Sequence, residues 1–199
     1  MGVLLMSKKG DLTKQHIKEQ AIKLFARRGF KDVTMKDICE ATNLSRGGLY
    51  LHYGSTRQIF SEIVDDLMNA QSDEFSEKIG QGISAKEILL QVLERYKREM
   101  TDAQGSLSVA IYEFFSADTS KQDNALLRQY QKSHSMWKRL LEYGIGRKEL
   151  NAVDVDAVFD LIVFSYQGVR MYGTLMPIDE RTPEHIMSLI KTILLPKEI

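Results

Sequence analysis

The chain has 199 residues, 43% hydrophobic and 27% charged, with a formal net charge of zero. This balance suits a globular protein with one or two cores, and no apolar run approaches the roughly 18 residues of a membrane span. The single cysteine, Cys39, excludes an internal disulfide and fits a reducing cytoplasm, and with 3 Pro and few alternating runs an all-α fold is expected.

The zero net charge hides a division. Residues 1–57 hold eleven Lys and Arg against five Asp and Glu, a net of +6; residues 58–199 hold sixteen against twenty-two, a net of −6. A basic head on an acidic body is the electrostatic footprint of a nucleic-acid binder.

Met1 to Gly10 reads as an arm, too short in its apolar part for a signal peptide, with Lys8 and Lys9 available to phosphates. A first helix follows from Leu12 to Arg28, with Ile17, Ala21, Leu24 and Phe25 on one face. Gly29 is its expected C-cap, and Phe30 packs back after it. Thr34 opens a second short helix with Asp37 in a variant capping box, and Ile38 and Ala41 form its apolar side. Asn43 suits the turn because it tolerates the left-handed region, and Ser45 caps a third helix of about two turns.

That third helix is a poor stability device. Leu44 and Leu49 hold it to a core, which leaves Arg46, Gly47, Gly48, Tyr50 and His52 outward. Each Gly costs about 0.5–1 kcal/mol against Ala inside a helix. The cost makes sense if a bulky partner approaches the backbone, and the DNA major groove admits a helix in this way. The stretch therefore reads as a helix-turn-helix.

Further along, Ser55 and Gln58 open a helix expected to reach Lys78, with Ile59, Phe60, Ile63, Val64, Leu67 and Met68 as its stripe. A continuous helix of that length would act as a mechanical link. Gly80-Gln81-Gly82 breaks the chain, and Ser84 with Glu87 caps a helix to about Met100. Thr101 to Gly105 is a loop, Leu107 to Ser116 a short apolar helix, and Ala117 to Asp123 a polar loop. Asn124 to Tyr143 and Asp154 to Leu175 are long helices, the latter holding Gly168 and Gly173. Thr182 is the expected cap of the last helix, with Pro183 at its first position.

Several chemistries lack their residues. His16, His52, His134 and His185 share no i, i+4 spacing and no Cys partner, so no metal or cofactor is expected. Arg46-Gly47-Gly48 lacks the pattern of a phosphate loop. Asp65-Asp66 and Asp73-Glu74 read as solvated faces, and no nucleophile triad stands out. Nothing positive argues for an enzyme. The aromatic residues Tyr96, Tyr112, Phe115, Trp137, Phe164 and Tyr166 come from four helices, and either fill a core or line one cavity. Glu113, inside an apolar helix, is either at a surface or paired in that cavity, where it and Gln167 could anchor a ligand.

The run Thr34-Met35-Lys36-Asp37-Ile38, then Ser45-Arg46-Gly47-Gly48-Leu49-Tyr50-Leu51-His52-Tyr53, then Phe60, resembles the DNA-binding domain of the tetracycline-repressor (TetR) family. Gly48 stands where Thr is common, Tyr53 where Phe is common, and Thr56 where a phosphate-binding Lys is usual, with Arg57 beside it to take that contact. The resemblance implies an all-α fold of about nine helices. A helix-turn-helix head at residues 1–56 would be joined by the helix from 55 to an effector-binding and dimerisation body at 57–199. It implies a cytoplasmic DNA-binding regulator, most often a repressor, released from a near-palindromic operator by a small-molecule effector, here largely apolar. It also implies a homodimer formed by the last two helices. Arg46 is the expected base reader; Thr34, Lys36, Ser45, Gly47, Gly48, Tyr50, His52, Tyr53 and Arg57 are expected near bases or phosphates. The alternatives are a DNA-binding protein of this fold that acts through a protein partner, and a helical enzyme with an incidental helix-turn-helix.

Overall fold

A computed structural model describes residues 2–69, 73–102, 106–117 and 124–197, with side chains from residue 10 onward. Among these the chain forms ten helices and no strand: α1 Gly2–Arg28, α2 Met35–Thr42, α3 Arg46–Tyr50, α4 Thr56–Asn69, α5 Glu74–Gly80, α6 Ala85–Thr101, α7 Ser108–Ser116, α8 Ala125–Gly146, α9 Val155–Tyr172 and α10 Thr182–Leu194. They fall into two compact units, residues 1–70 with 104–121, and residues 71–103 with 122–199.

In the first unit, α1 packs against α2, α4 and α7. It begins at Gly2, so the expected arm is helical; the side chains of Lys8 and Lys9 lie outside the described residues. Ile17, Ala21 and Phe25 of α1 are buried, as are Ile59, Phe60, Ile63 and Val64 of α4. Gly29 ends α1 with φ of 75°, a left-handed conformation open to Gly. The expected box at Thr34 is present: Asp37 N–H donates to the Thr34 hydroxyl at 3.3 Å, and Thr34 N–H donates to the Asp37 carboxylate at 2.7 Å. The buried position after Ile38 is Thr42, four residues on, whose hydroxyl donates to the Ile38 carbonyl at 2.7 Å. Ala41 is one step round the helix and exposed, contrary to expectation. Asn43 takes the left-handed conformation (φ 55°) and Ser45 accepts from Gly48 N–H, closing one end of the turn and opening the other.

The second unit contains α5, α6, α8, α9 and α10 around a core that includes Leu89, Leu93, Trp137, Leu141, Phe159, Ile162 and Ile190. The helix expected from Ser55 to Lys78 is two helices. Asp73 is the reason for the second start: its carboxylate accepts from Ser76 N–H at 3.0 Å and caps α5. Ser84, Asn124 and Asp154 cap α6, α8 and α9 by the same chemistry. Thr182 is the first residue of α10 rather than its cap, with Pro183 following it; no side chain caps this end. The loops expected at 101–105 and 117–123 fall largely on residues outside those described. No helix among the described residues is long and apolar enough to cross a membrane.

Candidate nucleic-acid interface

The interface is built by a division of faces on α3 and the turn after it. Leu49 is wholly buried, and Tyr53 N–H donates to the Leu49 carbonyl at 3.0 Å, so the helical path continues past the end of α3. Leu49 and Tyr53, four residues apart, therefore share the inward face. Tyr53 is 1% exposed and belongs to the core, which corrects its expected place at the groove. Its ring carries the Lys14 ammonium 5.0 Å from its centre, and burial, with the Glu62 carboxylate beside it, pushes its hydroxyl pKa up.

The opposite face is open. Arg46, Gly47 and Tyr50 are exposed, and the Arg46 guanidinium lies 5.7 Å from the Tyr50 ring centre. A Cβ at Gly47 would meet nothing within 4 Å, whereas one at Gly48 would press on the Ser45 hydroxyl at 3.2 Å. Gly47 thus leaves bare backbone toward solvent, while Gly48 also serves the cap. His52 is half-buried. Leu51 is 85% exposed, at the end of the same face, and sequence reasoning missed it. The signal was available: two residues past the buried Leu49, a helical position points away from the core, and an apolar side chain there needs a partner.

Around α3 the remaining candidates sit at helix starts. Thr34 and Lys36 open α2 and are exposed; the Thr34 hydroxyl is also hydrogen-bonded to Asp37. Asp37 is held well below the ordinary carboxylate range, first by the Thr34 hydroxyl and then by Arg28, which donates to it at 2.9 Å. Arg57 is the second residue of α4, exposed, with its guanidinium 4.7 Å from the centre of the Phe114 ring. Lys36 lies 3.8 Å from Glu40, and two further cations of this unit, Lys14 and Lys18, pair with Glu62, Lys18 also with Asp66.

The ligand candidates are divided between the two units. Tyr112, Glu113 and Phe115 stand on α7, in the first unit. Tyr112 is exposed, and Glu113 accepts from the N–H groups of Phe30 and Lys31 at 2.6 and 3.0 Å, so it is a cap for the turn after α1 rather than a group awaiting a ligand. In the second unit Trp137 is 1% exposed, edge-on to Phe75 at 5.3 Å; it is a core residue. Beside it Tyr96 stacks on Tyr166 at 4.3 Å. The Tyr166 hydroxyl is hydrogen-bonded to Glu99 and accepts from Arg170 at 2.8 Å; burial and then Glu99 raise its pKa. Phe164 is 62% exposed and Gln167 is exposed, both on α9. Within this unit Tyr96, Trp137 and Tyr166 are grouped.

Residues 17–63 match the family model for bacterial regulatory proteins of the tetR family, and residues 88–182 match the tetracyclin repressor-like C-terminal domain. The regulator YfiR of Bacillus subtilis is 27% identical over 148 residues, covering 72% of this chain and 70% of its own length. The transcriptional repressor KstR2 of Rhodococcus jostii is 26% identical over 156 residues, 76% of each chain. Among solved structures, a putative transcriptional regulator from Saccharomonospora viridis in complex with choline matches with a TM-score of 0.79 at 16% identity, over 94% of this chain and 100% of that one.

Proposed function

This chain belongs to the TetR family and is a DNA-binding transcriptional regulator, and from that premise we propose that it is a homodimeric repressor whose α3 reads the major groove and whose second unit binds a small-molecule effector. The observation that carries the reading is the split of α3. Leu49 and Tyr53 anchor one face, while Arg46, the bare Gly47, Tyr50 and Leu51 stand open on the other. Arg46 pairs with the O6 and N7 acceptors of guanine, and Leu51 offers the apolar contact that a thymine methyl takes. Thr34, Lys36, His52 and Arg57 contact phosphates, which fix register without reading sequence.

Dimerisation is supported by α9. Leu161, Phe164 and Tyr172 are exposed at helical spacing, and Gly168 lies on the same stripe with open space around its Cβ position. On α10, Leu189 is exposed between half-buried Ile186 and Ile193. Such a run is more than scattered surface apolar residues, and a small residue at its centre admits a second helix closely. A two-fold dimer presents α3 twice, so the operator is near-palindromic. Repression follows KstR2, which is named a repressor. That an effector is bound is in keeping with the Saccharomonospora protein of this fold, which is in complex with choline; the second unit is our assignment, made for its grouped Tyr96, Trp137 and Tyr166. An effector that favours the DNA-free form weakens DNA binding, and DNA weakens effector binding by the same factor.

Selection of bound sequences from random duplex DNA tests this reading. The expected product is an inverted repeat with half-sites about one helical turn apart or a multiple of it, bound by a dimer in light scattering. Recovery of a lone asymmetric site bound by a monomer would overturn the dimeric arrangement.

A further inference from the structure

Arg57 meets α7, a helix some fifty residues further along the chain, through the ring of Phe114. α7 is fixed to the rest of the first unit at two adjacent residues. Glu113 receives two consecutive backbone N–H groups, those of Phe30 and Lys31, at 2.6 and 3.0 Å. The turn that presents them depends on Gly29, which has a φ of 75°; a Cβ there would lie 2.5 Å from the Glu113 carboxylate. Successive N–H groups after a left-handed residue form a concavity suited to an anion, and here the anion is built into the protein. Next to it, Phe114 enters a cluster of aromatic rings. It is edge-on to Phe30 at 5.1 Å and tilted on Phe60 at 5.1 Å, while Phe60 meets Phe25 edge-on at 4.7 Å. Phe114 is buried, and the Arg57 guanidinium lies 4.7 Å from its ring centre.

We infer that Phe114 is a positioning residue for DNA binding: its ring holds the Arg57 guanidinium at the start of α4, where a backbone phosphate meets it. The inference rests on the phosphate role of Arg57 proposed above. A helix start is already a favourable place for a phosphate, and the guanidinium stacks on an aromatic face without losing its hydrogen-bonding edge. An arginine fixed in this way loses less side-chain freedom when the phosphate arrives, which favours binding. Glu113 contributes indirectly, by keeping α7 in the register that brings Phe114 to Arg57. An aliphatic residue at 114 could fill the same volume but offers the cation no π face.

The test is the salt dependence of binding to the selected operator, compared among the wild type, Arg57→Ala, Phe114→Leu, Phe114→Tyr and the double variant. Each phosphate contact contributes about 0.9 to the slope of log affinity against log salt. Phe114→Leu is expected to flatten the slope by about the same amount as Arg57→Ala. The double variant should add nothing further, and Phe114→Tyr, which keeps the ring, should retain the wild-type slope. A merely structural role would lower affinity without changing the slope. If Arg57→Ala leaves the slope unchanged, the phosphate reading of Arg57 fails, and the inference with it. If Arg57→Ala flattens it and a folded Phe114→Leu does not, the inference alone is overturned. A second measurement needs no variant at position 114. In the DNA-free wild type, the Arg57 side-chain protons, assigned by their loss in Arg57→Ala, should be shifted upfield by the ring current of Phe114; resonances at solvent-exposed positions would overturn the inference.

Discussion

The two units place their polar groups with a different balance of local and long-range bonds. In the first, most of the decisive hydrogen bonds are short in sequence: Thr34 with Asp37, Ser45 with Gly48, and Ser55 with Gln58, each three residues apart. In the second, local caps at Asp73, Ser84, Asn124 and Asp154 are joined by pairs that span the chain. Arg95 pairs with Glu74 across 21 residues, Tyr166 with Glu99 across 67, and Arg139 with Asp73 across 66. The first pattern suits a reading head, where local caps fix short helices and leave one face bare for DNA. The second suits a body whose helices are tied to one another by paired polar groups and which leaves apolar side chains exposed along α9 and α10. Longer bonds also cross the first unit: Lys14 and Lys18 reach Glu62, and Glu113 reaches back 83 residues to Phe30, tying α7 to the turn after α1.

Breaking the apolar surface of the body should have the largest effect on function. Gly168→Arg has room at the Cβ position, so α9 should fold with a charge in the middle of its exposed stripe. Light scattering is expected to report a monomer, and operator affinity should fall by more than in any single head variant, because one head makes half the contacts. A folded variant that stays dimeric would remove α9 from the interface.

The interior of the body is tested by Trp137→Ala. A buried aromatic truncated to Ala costs about 3–5 kcal/mol, read by chemical unfolding. Loss below about 1 kcal/mol would mean that the ring lines open space, in line with the earlier expectation of a cavity there.

The local devices of the head should each matter less. Thr34→Ala removes the N-cap of α2 and should cost about 1 kcal/mol, with the Asp37 carboxyl moving back toward its ordinary range in an NMR titration. Because Asp37 is depressed in the folded protein, its contribution is present above the unfolded value of about 3.9 and is lost as pH falls through the depressed folded value. An unchanged Asp37 titration in the variant would show that Arg28, not Thr34, sets it.

The same contrast explains what the sequence made legible. The helix-turn-helix could be read because its signals are close together: a box at Thr34, a left-handed Asn43 and a cap at Ser45. Tyr53 was misplaced even so: its position in the motif put it near bases or phosphates, while its spacing from Leu49 pointed inward. In the body, periodicity revealed the helices but not their partners. Asp73 looked like one more solvated acid, and only the fold shows it capping α5 and ending the expected continuous helix. Nothing local distinguishes Glu113, flanked by apolar residues, as the cap of a turn on another helix. Trp137 and Phe164 carry the same kind of apolar signal, yet one is buried and the other is 62% exposed. That choice is made by which face of each helix meets the core.

The central claim is that α3 reads base sequence, with Arg46 at its front, and a binding titration of Arg46→Ala on operator and on scrambled DNA tests it most directly. The expected loss on operator is about 1–3 kcal/mol, with relaxed preference at one base position in each half-site and little change on scrambled DNA. Equal losses on both DNAs would contradict the claim and make Arg46 a phosphate contact.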